Sequence, residues 1–193
     1  WVGRRVLIDP IAVYDGGYPD KIAGSEVDGG FAEFCRCSVG QLNDVSASPL
    51  TDAQLACLPT AYGTALGMIN RAVCVEGERV LVTGSSGGVG MAAIQLLLAR
   101  GCHVIARTSP SKADLVRSSG VAELSVRGVD ELDALAEVDA AVDVVGGEEF
   151  GSVVDRLRDG GRLVTAGAIA GPVVPFDIRR LYLRQRTLIG STM

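Results

Sequence analysis

A doubly wound α/β fold on a parallel sheet is predicted for the larger part of this 193-residue chain, and three observations predict it. From Arg79 onward, short apolar runs alternate with helical segments, an order that calls for crossover connections. Glycine is abundant at 25 residues and aromatics are only 5%, which suits tight strand-to-helix turns and not a disordered chain. One apolar run, Arg79-Val80-Leu81-Val82, enters the glycine-rich turn Gly84 to Gly90 and opens directly into an apolar helix that ends at Arg100-Gly101.

Roughly the first sixty residues read as β-rich. Val6-Leu7-Ile8 is a short strand closed by Asp9-Pro10, and a loop with Gly16, Gly17 and Pro19 follows. Asp28-Gly29-Gly30 turns into a predicted strand, Phe31 to Cys37, on which Cys35 and Cys37 would share a face. Thr51-Asp52-Ala53-Gln54 is a capping box, so a short helix should run to about Cys57 before Pro59. A second helix is predicted from Tyr62 to Ala72. After the glycine turn and its helix, His103 to Arg107 is the next strand, and Lys112 to Ser119 a helix stopped by Gly120. Ala122 to Val126 is a third strand, Asp130 to Glu137 a helix, and Ala141 to Val145 a fourth strand stopped by Gly146-Gly147. Glu148 to Arg158 is a helix closed by Gly160-Gly161, Arg162 to Ala166 a fifth strand, and Thr187 to Gly190 a sixth.

Composition narrows the function classes. The net charge is -5 with no long basic run, which argues against a nucleic-acid partner. No apolar stretch is long enough to span a bilayer and no secretory signal is present, so no membrane partner is expected. Five cysteines without framework spacing predict free thiols, a reducing compartment and a cytoplasmic protein. Trp1, not Met, opens the sequence inside what reads as a β-rich module, so the chain is expected to be a piece of a longer one.

The strand, glycine turn and helix start together predict a dinucleotide site. Residues without side chains let the backbone approach a pyrophosphate, and free helix N–H groups point at its charge. The choice between NAD and NADP is made at the end of the next strand, about twenty residues past the glycines. That place holds Arg107-Thr108-Ser109-Pro110-Ser111-Lys112 and no acid. Arg107 and Lys112 supply charge and Ser109 a donor; charge-assisted contacts are worth roughly 1.5–3 kcal/mol each, so NADP(H) is preferred over NAD(H). Lys112 is one of only two lysines in the chain.

The ordered series Val2-Gly3-Arg4-Arg5-Val6-Leu7, Asp28 to Phe34, Leu58 to Ala65, Gly77 to Gly84, Gly87-Gly88-Val89-Gly90, Val144 to Gly147, Asp159 to Val164 and Leu188 to Ser191 resembles the medium-chain dehydrogenase/reductase superfamily, in its zinc-independent quinone oxidoreductase-like branch. The resemblance implies part of a GroES-like, chaperonin-10-like β-barrel over residues 1–61 and a Rossmann domain over 62–193. It implies that Thr64 and Val89 back the nicotinamide, that Ser86, Gly87, Gly88, Val89 and Gly90 hold the pyrophosphate, and that Val145 with Gly167, Ala168 and Ile169 flank the nicotinamide and its ribose. Ser85 stands where the fingerprint has its first glycine. A homodimer through the last strand, at Leu188-Ile189, is also implied.

Thr83-Gly84 with Gly88-Val89-Gly90 also fits the short-chain dehydrogenase pattern. That pattern places its turn near the N-terminus and needs Tyr-x-x-x-Lys downstream, whereas Tyr182 here is followed by Arg186, which does not readily relay a proton. Zinc alcohol dehydrogenases carry a catalytic Cys where this chain has Thr60, a poor zinc ligand, and the loop from Ile11 to Glu26 holds no cysteine. His103 and Cys102 fall at the wrong end of their strand, and Cys57 is the one thiol with a plausible position. No metal is therefore expected.

The activity that follows is zinc-free hydride transfer from NADPH to a quinone, enone or enoyl-type small molecule. Tyr62 is the candidate proton donor, its other reading being a packed ring. Zinc-type alcohol dehydrogenase chemistry and a non-catalytic NADPH-binding protein of the same fold are the alternatives.

Overall fold

The computed structural model describes residues 1–15 and 18–192, which fall into two compact units, Trp1–Thr60 and Ala61–Thr192. In the first, β1 (Val6–Ile8) pairs antiparallel with β4 (Leu42–Asp44), Val6 opposite Asp44. Strands β2 (Ile11–Asp15) and β3 (Tyr18–Ile22) form a separate antiparallel pair. Pro19, predicted in a loop, lies in β3; Gly16 and Gly17 lie outside the described residues. Helix α1 (Asp52–Ala56) starts at the predicted capping box: the Thr51 hydroxyl accepts from the Gln54 N–H at 3.3 Å, and the Thr51 N–H donates to the Gln54 side chain at 2.9 Å.

The predicted strand Phe31 to Cys37 does not form. The run follows a glycine turn and carries two phenylalanines, but among the described residues no neighbouring strand ladders with it, and Phe31 and Phe34 are exposed. An extended run without a partner strand does not hold as a strand. Cys35 and Cys37 therefore do not share a strand face. The described strands of this unit make two pairs and not a closed barrel.

The second unit carries the predicted parallel sheet, in the order β10-β9-β8-β5-β6-β7. These are β5 (Arg79–Val82), β6 (His103–Thr108), β7 (Glu123–Val126), β8 (Val138–Asp143), β9 (Leu157–Thr165) and β10 (Thr187–Gly190). The first strand of the unit sits inside the sheet, with β6 and β7 to one side and β8, β9 and β10 to the other. Both faces are covered, so the central strands are buried along their length. On one face α2 (Gly63–Arg71) and α3 (Gly88–Ala99) pack Met68, Ile69, Ile94 and Leu97 onto Val80, Val82 and Val104. On the other, α5 (Phe150–Asp155) packs Val153 and Val154 with Leu81, Ile105 and Leu163.

Four sequence expectations are corrected here. Asp130 to Glu137 forms only a 3-10 turn at Leu132–Ala134, because its backbone groups are engaged elsewhere. The Arg156 guanidinium donates to the Asp133 and Leu135 carbonyls at 2.8 and 3.2 Å, and the Asp130 carbonyl accepts from Arg107 at 3.2 Å. Helix α5 is shorter than predicted, since β9 already begins at Leu157; Gly160-Gly161 lie inside that strand, where Gly160 takes φ 70° and the pairing with β8 shifts register. Strand β8 ends at Asp143, leaving Val144 and Val145 in the following loop. The predicted helix from Lys112 divides into a 3-10 turn at Pro110–Lys112 and the short α4 (Ala113–Arg117).

Candidate functional site

The carboxyl ends of β5, β6 and β8 border a cleft of about 220 Å³ where strand order reverses, the place at which open α/β sheets bind ligands. Its floor is the β5–α3 turn. Gly84 takes φ 57°, and a Cβ there would lie 2.7 Å from a Val144 methyl. The Gly87 N–H closes the turn onto the Gly84 carbonyl at 3.0 Å, and Gly87 then caps α3 with extended backbone and no side-chain oxygen. The first N–H to pair in the helix register is that of Met91, onto Gly87 at 2.8 Å, so the N–H groups of Gly88, Val89 and Gly90 are the unpaired donors of the helix start. A Cβ on Gly90 would fall 2.7 Å from Ser85 Cα and nearer still to the Gly84 carbonyl oxygen. These residues fit a diphosphate: the backbone is bare, the donors are free and the macrodipole is favourable.

Ser85 is fully buried and turned away from the cleft. Its hydroxyl donates to the Arg107 carbonyl at 2.9 Å, tying the turn to β6. On the other side, Asp143, 1% exposed, accepts from the Thr83 hydroxyl at 2.5 Å and from the N–H groups of Val145 and Gly146 at 3.3 and 3.1 Å. The loops after β8 and β9 then join through Ala170 N–H to the Val145 carbonyl at 2.8 Å and Gly147 N–H to the Gly171 carbonyl at 3.1 Å. Asp143 was not singled out in the sequence. A lone carboxylate ending an apolar strand was the available signal.

Of the predicted residues, Ser86, Gly87, Arg107, Ser109, Val145 and Ile169 line this cleft. Gly88, Val89 and Gly90 stand behind the turn in α3, and Thr64 is buried on α2. Gly167 and Ala168 lie behind Ile169; a Cβ on Gly167 would meet the Val144 carbonyl oxygen at 3.0 Å. Lys112 is exposed at the end of the 3-10 turn and is not part of the cleft wall.

Arg107 corrects the expectation of a free cation. It is 4% exposed and lies two residues beyond Ile105, on the sheet face that α5 covers. Its Nη2 and Nε donate to the two carboxylate oxygens of Glu149 at 2.6 and 3.1 Å, and its Nη1 to Ser125 Oγ at 2.7 Å and the Asp130 carbonyl at 3.2 Å. The Arg107 guanidinium holds the Glu149 carboxyl below its usual range, against a burial penalty, and Arg127 adds to the lowering.

The cation presented to the cleft is Arg127, just past β7, whose N–H donates to the Thr108 carbonyl at 2.9 Å. It is exposed and joins no ion pair among the described residues. Beside it, Thr108 is 3% exposed with a hydroxyl that has no partner among the described residues. Sequence reasoning passed over both by stopping at the second strand. The signal was a cation at the carboxyl end of the third strand, the same sheet edge as the glycine turn.

The remaining candidates lie elsewhere. The Tyr62 hydroxyl donates to the Gln95 side chain of α3, and its ring packs on the core. Cys57 and Thr60 are exposed, and His103 opens β6 at the amino edge of the sheet. Cys102 is buried beneath Val75, and burial pushes the Cys74 thiol up to about 11. Among the described residues no group of three or more His, Cys, Asp or Glu is placed to hold a metal ion.

Residues 88–193 match the family model described as zinc-binding dehydrogenase. The chain is 32% identical over 168 residues to an acryloyl-coenzyme A reductase of Metallosphaera sedula, covering 86% of this chain and 50% of that protein. The crystal structure of a putative alcohol dehydrogenase from Sinorhizobium meliloti 1021 superposes with a TM-score of 0.91 at 41% identity, over 98% of this chain and 55% of that one. The 2-octenoyl-CoA carboxylase reductase CinF, in complex with NADP and 2-octenoyl-CoA, gives a TM-score of 0.87 at 28% identity, over 98% of this chain and 51% of that one. The chain thus spans about half the length of these relatives. With the strand order and the glycine turn, these matches establish that the chain belongs to the zinc-binding dehydrogenase family of the medium-chain dehydrogenase/reductase superfamily.

Proposed function

We propose that the cleft holds NADPH and that the protein reduces a polarised unsaturated small molecule, a quinone, an enone or an enoyl thioester, without zinc. The observation that carries the reading is the uncapped start of α3, packed against Gly84 so tightly that only glycine fits at position 90. When bound, NADPH supplies a hydride. The residues of this chain bind and orient it: the N–H groups of Gly88 to Gly90 face the diphosphate, and Arg127, Ser109 and the Thr108 hydroxyl face the 2′-phosphate. Val145 and Ile169 form the apolar wall, which Asp143 and Thr83 hold in register. Proximity and orientation supply most of the rate in such a site. The similarity to an acryloyl-coenzyme A reductase and to CinF, solved with NADP and 2-octenoyl-CoA, supports this substrate class and cofactor. Thr60, in place of a catalytic cysteine, supports zinc-free chemistry. Among the described residues strand β10 bonds within the sheet to β9 alone, and Leu188 on it is 37% exposed, which supports a homodimer through that edge.

The test is a fluorescence titration with NADPH and NADH, followed by turnover on quinones, enones and enoyl thioesters with metal analysis of the same sample. NADPH bound more tightly, with turnover and no stoichiometric zinc, is the expected result. Preference for NADH overturns the cofactor assignment, binding without turnover favours a non-catalytic NADPH-binding role, and stoichiometric zinc favours alcohol dehydrogenase chemistry.

A further inference from the structure

Among the described residues Glu149 is the one acid in the wall of the cleft, its side chain 37% exposed. It sits after Gly146 and Gly147, both at positive φ, and directly before α5. Arg107 reaches it from β6 with a side chain only 5% exposed. Four hydrogen bonds from that guanidinium run to Glu149, Ser125 and Asp130, so its orientation is set from three segments. Arg127 lines the same cleft, near enough for its charge to act on the Glu149 carboxyl.

Two cations and one carboxylate therefore share a small space. An unpaired Glu149 would do two things there. It would repel an entering phosphate dianion, and it would draw the Arg127 guanidinium onto itself. The bidentate pair with Arg107 prevents both. It occupies the two carboxylate oxygens from the buried side and leaves Arg127 to the ligand.

We propose that Arg107 is a positioning residue that sets nucleotide choice: by holding both oxygens of Glu149 it cancels the negative charge of the cleft wall and frees Arg127 for a ribose 2′-phosphate. This rests on the reading that the cleft takes a phosphorylated dinucleotide. It reverses the role expected for Arg107, which acts through Glu149 and does not touch the phosphate.

The experiment measures dissociation constants for NADPH and NADH in the wild type, Arg107→Met, Glu149→Gln and the double variant, with thermal melts as a folding control. Arg107→Met is expected to lower the NADPH-over-NADH preference about tenfold, the scale of one lost charge-assisted contact. Glu149→Gln keeps the preference at or above the wild-type value, and adding it to Arg107→Met restores the preference to within about threefold of wild type. A merely structural Arg107 would weaken both nucleotides equally and leave the ratio unmoved, which overturns the proposal. If Arg107→Met loses its cooperative melt, Glu149→Gln decides: a fall in its preference overturns the proposal, and a value held or raised supports it. Wild-type protein that binds neither nucleotide overturns the reading of the cleft and this inference with it, whereas binding with an unmoved ratio overturns the inference alone.

Discussion

Gly90 of α3 lies against the peptide of Gly84, so that a Cβ at position 90 would stand 2.8 Å from the Gly84 carbonyl carbon and 2.7 Å from Ser85 Cα. Both neighbours are backbone, and neither can swing aside. Gly90→Ala must therefore push the first turn of α3 away from β5, carrying the free N–H groups with it. The expected outcome is a loss of nucleotide affinity of tenfold or more and a destabilisation of about 1–3 kcal/mol, typical of overpacking. Titration and chemical denaturation check it. Gly88→Ala is the comparison, since a Cβ there meets only Ala61 Cβ at an ordinary 3.6 Å.

Arg127 and Lys112 separate the two ways of supplying charge near β6. Arg127 lines the cleft and Lys112 does not. Arg127→Gln is expected to weaken NADPH about tenfold and NADH less than threefold, consistent with one lost charge-assisted contact. Lys112→Gln should shift either affinity by less than threefold, with any effect fading as salt rises. Equal effects from the two substitutions would return the phosphate to the 3-10 turn.

The contrast between Arg107, Lys112 and Arg127 shows where sequence reading succeeded and where it stopped. The strand, turn and helix around Gly84 to Gly90 were legible because their glycines are required by local backbone geometry. The sheet was legible because strands buried on both faces read as apolar runs. Which cation faces the cleft depends on pairing between β6, β7 and α5, partners far apart in sequence. Arg107 has the right position and the wrong neighbours, Glu149 and Ser125. Asp130 to Glu137 and Phe31 to Cys37 failed for the same reason. The backbone carbonyls of the first went to Arg107 and Arg156, and those of the second found no ladder among the described residues.

The Arg107–Glu149 pair also predicts an acid limb of stability. Glu149 titrates below its ordinary 4.5 in the folded protein, chiefly because Arg107 bonds its charged form. A depressed folded value means that the contribution is complete above about 4.5 and is lost as pH falls through the folded value. The melting temperature of the wild type should exceed that of Glu149→Gln at neutral pH, and the gap should close below about pH 4.5. Melting curves of both proteins between pH 7 and 3 check this. A gap that stays constant with pH would show that packing, and not charge, separates them.

Arg186 governs the edge strand. Its side chain is 1% exposed, and its guanidinium donates to the carbonyls of Arg180, Asp155 and Leu157 at 3.2, 3.1 and 2.5 Å, with the Asp155 carboxylate 3.6 Å away. These bonds tie the segment after α6 (Arg179–Tyr182) to the junction of α5 and β9, directly before β10 begins at Thr187. Burial pulls the Arg186 pKa down, yet an arginine stays charged in any working range. Arg186→Met keeps most of the volume but leaves three carbonyls without their donor, while the Asp155 carboxylate keeps Arg180 at 3.1 Å. Leaving buried carbonyls without a donor costs about 1–3 kcal/mol. The loss should concentrate where the bonds were, so amide exchange in 187–190 is expected to accelerate well before that in β5 or β8, whose neighbours are unchanged. If β10 is the dimer edge, the same substitution should also shift sedimentation toward monomer, because a strand that frays from β9 cannot present its outer edge in register. Uniform acceleration across the sheet would instead mean that Arg186 supports the whole unit and not its last strand.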